Sequence, residues 1–258
     1  MTSATALVRR PSSRLAEGLL THLERRPVDF GRALEQWEGY VRVLREHGWA
    51  TVEVPPADDC PDSAFVEDTV VMFRNVAVVS RPGADQRKPE TVEVEKVVTA
   101  LGCSVNAIRA PGTLDGGDVL KVGDTVYVGR GGRTNAEGVR QLRAILEPLG
   151  ATVVAVPVTK VLHLKSAVTA LPDGSVIGYP PLVDDAAVYP RFVPVPEEPG
   201  SHVVLLGGDR LLISSAAPRT AELLAGSGYT PVPVDIGEYE KLEGCVTCLS
   251  VRIRHLYG

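Results

Sequence analysis

The stretch TLDGGDVLKVGDTVYVG, Thr113 to Gly129, decides how this chain is read. Apolar runs flank VGDT, a short turn-forming sequence, and predict two strands joined by a hairpin. Ahead of the first strand, two carboxylates, Asp115 and Asp118, bracket a pair of glycines. Segments of the same build recur along the chain: FVEDTVVMF from Phe65, LHLKSAVTAL from Leu162, HVVLLGGDRLLIS from His202 and GCVTCLSVRI from Gly244. Each sets polar or ionisable residues at the head of an apolar strand. Their spacing of roughly 40 to 50 residues is that of propeller-like arrays. Most are followed by a second short strand: NVAVVS, DTVYVG or GSVIGYP. Helical stretches with apolar residues at spacings of three and four come next: ETVEVEKVVTALG, NAEGVRQLRAILEPLG and APRTAELLAGSG. Each ends near a glycine fit to cap a helix, and two lead into the strands ATVVAVPV and TPVPVDI.

The predicted unit is therefore strand–strand–helix–strand, repeated about five times with the fourth copy degraded. An N-terminal strand, ATALVRRP, lacks a hairpin partner of its own, and pairing it with the last segment closes a ring. Closure removes exposed strand edges and gathers the strand heads at a common axis. The expected fold class is α/β, a five-bladed pseudo-symmetric propeller of ββαβ units, with residues 1–258 forming a single domain.

Bulk properties narrow the function. The chain is 44% hydrophobic and 23% charged, ordinary for a globular protein. A formal charge of −5 argues against a general nucleic-acid binder, which needs a basic face for phosphates. The N-terminal MTSATALVRRPSSR lacks the apolar core of a signal peptide, and no apolar run approaches the ~18 residues of a membrane span. A cytoplasmic location is expected.

The strand heads supply Glu67 and Asp68, Asp115 and Asp118, His163, Asp209 and Cys248. A thiol, an imidazole and several carboxylates make a nucleophile, a general acid/base and groups to orient them. Taken singly, each has a plainer role: a core cysteine, a core histidine, solvated acids beside turns. Cys245 and Cys248 form a C-x-x-C pair inside KLEGCVTCLSV, a segment that reads as a strand. Structural zinc usually needs two such pairs, and Cys60 and Cys103 stand alone. A thioredoxin-type pair opens a helix, and on a strand residues three apart face opposite ways. No easy disulfide is expected.

The ordered motifs PDSAFVED, SRPGADQRK, TLDGGDVL, VGRGGRTN, LHLKS and LEGCVTCLSV cover nearly the whole chain. Together they resemble the dimethylarginine dimethylaminohydrolases, members of the guanidino-group-modifying (pentein) superfamily of five-bladed α/β propellers. The resemblance implies Cys248 as nucleophile with Cys245 a bystander, His163 as general acid/base and Asp115 as the carboxylate orienting it. It implies that Asp68, with Glu67 beside it, grips the substrate guanidinium. Asp62 then meets the α-amino group, and Arg87 and Arg133 the α-carboxylate, with Arg81 and Lys88 nearby competitors. Leu20 falls on a lid, Leu242 contributes backbone, and Glu243 stands where some relatives have Asp. Asp118 is expected to hold backbone and Asp209 to serve a turn. The implied reaction converts methylated arginine to citrulline and an alkylamine through a covalent S-alkylthiouronium. No metal or organic cofactor is implied, and the partner is the small-molecule substrate, without nucleic acid or membrane, compatible with a homodimer. Carboxylates around Cys248 are expected to keep its resting form largely a thiol.

Arginine deiminases, the rival reading, carry an inserted helical domain and a carboxylate two residues after the histidine. This chain has His163-Leu164-Lys165 instead, which favours an N-methylated substrate. A non-catalytic guanidino-binding propeller is the other alternative.

Overall fold

The computed structural model describes residues 4–254; residues 1–3, at the start of the stretch read for a signal peptide, and 255–258 lie outside the described part. Strand β1 (Thr5–Val8) runs parallel to β2 (Ala50–Glu53) across helix α1 (Phe30–Glu46). Asp29 starts α1 by accepting the Arg32 N–H at 3.0 Å. Trp37, Tyr40, Val41 and Leu44 form its buried stripe at the spacing of a helix packed on one side.

The next units repeat this pattern with a hairpin in front. In the second, β3 (Val70–Phe73) pairs antiparallel with β4 (Val76–Val79), which runs through α2 (Thr91–Ala100) to a parallel β5 (Ser104–Ala107). In the third, β6 (Val119–Val122), β7 (Thr125–Arg130), α3 (Ala136–Leu146) and β8 (Thr152–Pro157) do the same. The fourth sheet holds β9 (Val168–Ala170), β10 (Val176–Gly178) and β11 (Phe192–Pro194). Two single 3₁₀ turns, Pro180–Leu182 and Ala186–Val188, take the helix's place. The degraded copy predicted from sequence is this one. The fifth restores the helix: β12 (Val203–Gly207), β13 (Arg210–Ser214), α4 (Pro218–Gly226) and β14 (Thr230–Val234). After the four-residue α5 (Gly237–Glu240), β15 (Val251–Ile253) pairs antiparallel with β1. The two ends of the described chain thus share one three-stranded sheet, ordered β15-β1-β2, one of five such sheets among the described residues.

Apolar clusters bridge neighbouring units. Val71 and Val78 of the second sheet pack with Val126, Val128, Leu142 and Leu146 of the third unit. Burying each such Leu or Val is worth about 1.5–3 kcal/mol. Strands such as β3, buried at every position, read as continuous apolar runs because both faces are covered.

Two expectations are corrected. KLEGCVTCLSV is not a strand up to Val251. Residues 246–249 form a turn, with the Cys248 N–H donating to the Cys245 carbonyl at 3.0 Å, and the strand begins only at Val251. Asp209 is not at a strand head. It lies exposed in the β12–β13 hairpin and accepts from the Thr230 hydroxyl at 2.7 Å, the turn role expected of it. The other strand heads are single 3₁₀ turns, Val66–Thr69, Gly116–Asp118 and Leu164–Ser166, which lift Glu67, Asp68, Asp118 and Lys165 out of the strands.

The glycines of TLDGGD explain how these turns approach one another. A Cβ on Gly116 would run into the Glu67 carbonyl oxygen, and one on Gly117 would lie 2.6 Å from Asp68 Oδ1 and 2.7 Å from His163 Nδ1. Gly116→Ala is expected to lower stability by about 1–3 kcal/mol through overpacking against backbone, read as a lower urea midpoint. Gly117→Ala presses on side chains and is expected to cost activity more than stability.

Candidate active site

The imidazole of His163 is 3% exposed and sits at the N-terminal edge of the third of these turns. Its Nε2 meets Asp115 Oδ2 at 2.9 Å, while its Nδ1 lies 3.7 Å from Asp68 Oδ1. Asp115 takes a further hydrogen bond from the Gly83 N–H at 2.9 Å. Burial opposes a charge on His163, but Asp68, the Asp115 hydrogen bond and Asp118 outweigh it and raise the imidazole to about 9. The ring is an imidazolium at neutral pH.

Asp68 is held from two sides, by Arg87 Nη1 at 2.6 Å and the Gly117 N–H at 2.8 Å. Burial works against its charge, yet His163 and Arg87 prevail and lower the carboxyl to about 2. Arg87 has little freedom. Its Nε and Nη2 bond both oxygens of Glu90 at 3.0 and 2.8 Å, and Nη2 also reaches the Asp62 and Phe65 carbonyls. Most of its donors are therefore engaged with protein, and its evident work here is to hold Asp68. Glu90, fully buried, was missed in the sequence; the Arg87–Glu90 spacing of three was the available signal.

Cys248 is 6% exposed and lines a narrow cleft with Asp62, Asp68, Arg87, Arg133 and Leu242. Phe65, Leu162 and Leu19 add apolar wall. The cleft encloses only about 10 Å³, room for little more than a water. Its cover is the loop that carries Leu19. Asp62 accepts the Leu19 N–H at 3.1 Å, and Glu243 accepts N–H groups of Thr21, His22 and Leu23. Glu243 does this from a left-handed backbone, φ 61°. Leu20 is half-buried against the core, and its neighbour Leu19 lines the cleft instead. Arg133 makes no hydrogen bond to protein among the described residues; its nearest carboxylate is Asp115 at 3.8 Å. Arg81 and Lys88 turn elsewhere, to the Gly112 carbonyl and to Asp85.

Asp118 does hold backbone, accepting the Leu164 N–H at 2.9 Å and the Thr134 hydroxyl at 2.6 Å. Glu67, expected beside the guanidinium, faces the other way. It bridges Lys165 Nζ at 2.6 Å and Arg252 Nη2 at 2.5 Å, and lines a second cavity of about 330 Å³. No cysteine or histidine lines the larger cavity, whereas Cys248 lines the smaller cleft. Among the described residues, Asp68, Asp115 and His163 also place ligand atoms within 4.8 Å of one another. Arg87 already supplies the cation that Asp68 pairs with there.

The two sulfurs of Cys245 and Cys248 lie 3.2 Å apart, on the same side of the turn. The expectation that they face opposite ways fails because the segment is not extended. The Cys248 thiol is held well above its ordinary range, first by its hydrogen bond to Cys245, then by burial and the nearby carboxylates Glu67 and Asp68.

A family model described as arginine deiminase matches residues 39–206. An N(G),N(G)-dimethylarginine dimethylaminohydrolase of Streptomyces coelicolor is 72% identical over 257 residues, covering all of both chains. A solved structure of the Pseudomonas aeruginosa enzyme of that name, a cysteine-to-serine variant complexed with citrulline, is 36% identical. It superposes with a TM-score of 0.89 over 96% of this chain and 98% of its own. A histidine-to-glycine variant of a dimethylarginine dimethylaminohydrolase, in an adduct with S-methyl-L-thiocitrulline, is 35% identical at the same TM-score, covering 96% and 99%.

Proposed function

The chain belongs to the dimethylarginine dimethylaminohydrolases of the arginine deiminase family, and from that premise and the site we infer that it hydrolyses Nω-methylated arginine to citrulline and an alkylamine. The observation that carries the reading is the shared cleft of Cys248 and Asp68, with a buried imidazolium fixed behind it by Asp115.

A guanidinium is planar and cationic, and its resonance protects the central carbon from water. Asp68 retains lone pairs beyond those used by Arg87 and Gly117, and accepts N–H groups of the substrate in charge-assisted hydrogen bonds. This positions the carbon for the Cys248 thiolate. Sulfur adds, a tetrahedral centre forms, and the His163 imidazolium protonates the departing amine. The S-alkylthiouronium that remains is hydrolysed by water that gives its proton to the now neutral His163, and citrulline leaves. The thiol-favouring surroundings of Cys248 mean that the arriving cation helps ionise it, the proton passing to solvent because His163 already carries one. Arg133, free of protein hydrogen bonds among the described residues, takes the substrate carboxylate; Asp62 and Leu242 complete the pocket. The loop over the cleft opens to admit substrate, since the enclosed space is far below its volume.

The apolar walls Phe65, Leu162 and Leu19 suit N-methyl groups. Position 165, where deiminases carry a carboxylate, is a lysine that points to Glu67 and not into the cleft, so it offers no carboxylate to unsubstituted nitrogens. Incubation with asymmetric dimethylarginine and with arginine tests this. Dimethylamine from the first and little ammonia from the second is the expected result; ammonia from arginine reverses it to a deiminase.

The pH profile follows from His163. The reacting form carries the imidazole proton, so kcat/KM is expected to fall as pH rises through about 9. Asp115→Asn removes one support of that proton and is expected to move the falling limb to lower pH; an unmoved limb would show that another group titrates there.

The five sheets are proposed to form a closed five-bladed propeller, one domain. Its support is the β15–β1 pairing and a cavity lined by β3, β6, β9, β12 and β15 alike. No helix among the described residues is long and apolar enough to cross a membrane. A cytoplasmic enzyme acting on a small molecule, compatible with a homodimer, completes the reading.

A further inference from the structure

We propose that Cys245 and Cys248 are a thiol–disulfide couple, a modification site that reversibly removes the nucleophile from the reaction. The proposal rests on the reading of Cys248 as nucleophile for its effect, but not for the bond itself. The sulfurs stand 3.2 Å apart in a turn, and a disulfide at about 2.05 Å asks them to close by roughly 1.2 Å. The residues between, Val246 and Thr247, belong to a turn and not to a strand ladder, so side-chain rotation is not opposed by sheet pairing. The remaining cysteines are elsewhere: Cys60 contacts the Gln86 carbonyl, and Cys103 belongs to a separate apolar cluster.

The oxidant is a small hydroperoxide, reaching Cys248 through the cleft it lines. Cys248 rests as a thiol and reacts through the small fraction that ionises: that thiolate attacks the peroxide oxygen, the O–O bond breaks, and a sulfenic acid and hydroxide form. The Cys245 sulfur then attacks the Cys248 sulfur, the S–O bond breaks, and water leaves. In total, two thiols and one hydrogen peroxide give one disulfide and two waters. A dithiol reductant reverses it by exchange. The close neighbour thereby diverts Cys248 from irreversible over-oxidation.

Treating the reduced enzyme with hydrogen peroxide is expected to give a mass about 2 Da lower, the two hydrogens lost, and one cross-linked peptide containing both cysteines. Turnover falls in parallel and returns with dithiothreitol, and a bound substrate analogue slows both changes. Cys245→Ser and Cys245→Ala are expected to turn over in the reduced state yet lose activity irreversibly under peroxide, gaining oxygen at Cys248. Loss of turnover in the parent enzyme without the cross-link overturns the couple alone. A cross-link that leaves turnover intact overturns the switch together with Cys248 as nucleophile.

Independently, the geometry points to an anion-binding site in the 330 Å³ cavity lined by the leading strands of all five sheets. Lys121, Lys165, Arg252 and Arg254 line it, whereas Glu67 is the one acid besides Asp124, which pairs with Arg74. Glu67 is shared by Lys165 and Arg252. Lys121 bonds the Met72 carbonyl at 2.5 Å, and Arg254 bonds the Leu205 carbonyl at 3.0 Å and lies over the Trp49 ring; neither pairs with a carboxylate among the described residues. Both side chains keep a large solvent-exposed fraction while lining the cavity beside Lys165 and Arg252, so an anion from solution can reach them. An oxyanion of two or more charges, free phosphate or a small phosphate monoester, fits both the volume and the charge.

Titration with inorganic phosphate and with glycerol phosphate at constant ionic strength, followed by calorimetry, tests this and separates the two sources. Saturable binding is expected, weakened about tenfold or more in Lys121→Met and in Arg254→Met, with turnover at saturating substrate unchanged. Absence of saturation, or equal binding by parent and both variants, overturns the site.

Discussion

Cys248→Ser is expected to lower kcat by about 10⁴- to 10⁶-fold, the scale on which removing a covalent nucleophile acts. The change is small in volume at a position 6% exposed, so the fold should survive; near-parental circular dichroism and urea midpoint would establish that. What is lost is chemical. A serine hydroxyl ionises far less readily than a thiol, and His163 is already protonated in the resting enzyme, so no base stands ready to take the hydroxyl proton. Substrate should still bind, because Asp68 and the apolar wall are untouched, and equilibrium dialysis should show it. Mass spectrometry of quenched turnover should find no covalent adduct. Citrulline formation at the parental rate would remove Cys248 from the mechanism.

Asp68→Asn is expected to be the next most damaging change, by a different route. The side chain keeps its shape but loses the charge that meets the substrate guanidinium, an effect of about 2–5 kcal/mol for a buried charged hydrogen bond, or roughly 30- to 5,000-fold in kcat/KM. It also withdraws the largest support for the His163 proton, so the high-pH limb should shift down as well, which a purely structural role would not produce. Stability should fall by about 3 kcal/mol at neutral pH, since Arg87 is left with one buried partner, Glu90, in place of two. The pH dependence has a defined sign. Asp68 is lowered to about 2, so its contribution is present above the ordinary carboxylate value of about 4 and disappears as pH falls through about 2. The deficit of the variant should therefore be full at neutral pH and shrink in acid. For His163, raised to about 9, the contribution is full below about 6.5 and is lost as pH rises through about 9. Urea midpoints across both ranges check the two signs.

Much of this could be read from residue order. The alternation of apolar runs, hairpin turns and helical stretches indicated about five repeating units with the fourth degraded, because period and turn chemistry are local properties. The spacing of ionisable strand heads likewise marked Asp68, Asp115, His163 and Cys248. What order could not decide is direction. Glu67 and Asp68 are adjacent, yet a single 3₁₀ turn sends one to the basic cavity and the other to the cleft. Arg87 looks like a free substrate clamp until Glu90 is found beneath it. Cys245 looks like a bystander on the far face of a strand until a turn swings its sulfur to 3.2 Å from Cys248. The repeat and the chain's pairing with itself were written into the sequence, and so were candidates for the pocket, although Glu67 and Asp209, marked with the rest, lie outside the cleft. Which way each side chain points was set by short turns whose hydrogen bonds, between segments tens of residues apart, exist only once the sheets have come together.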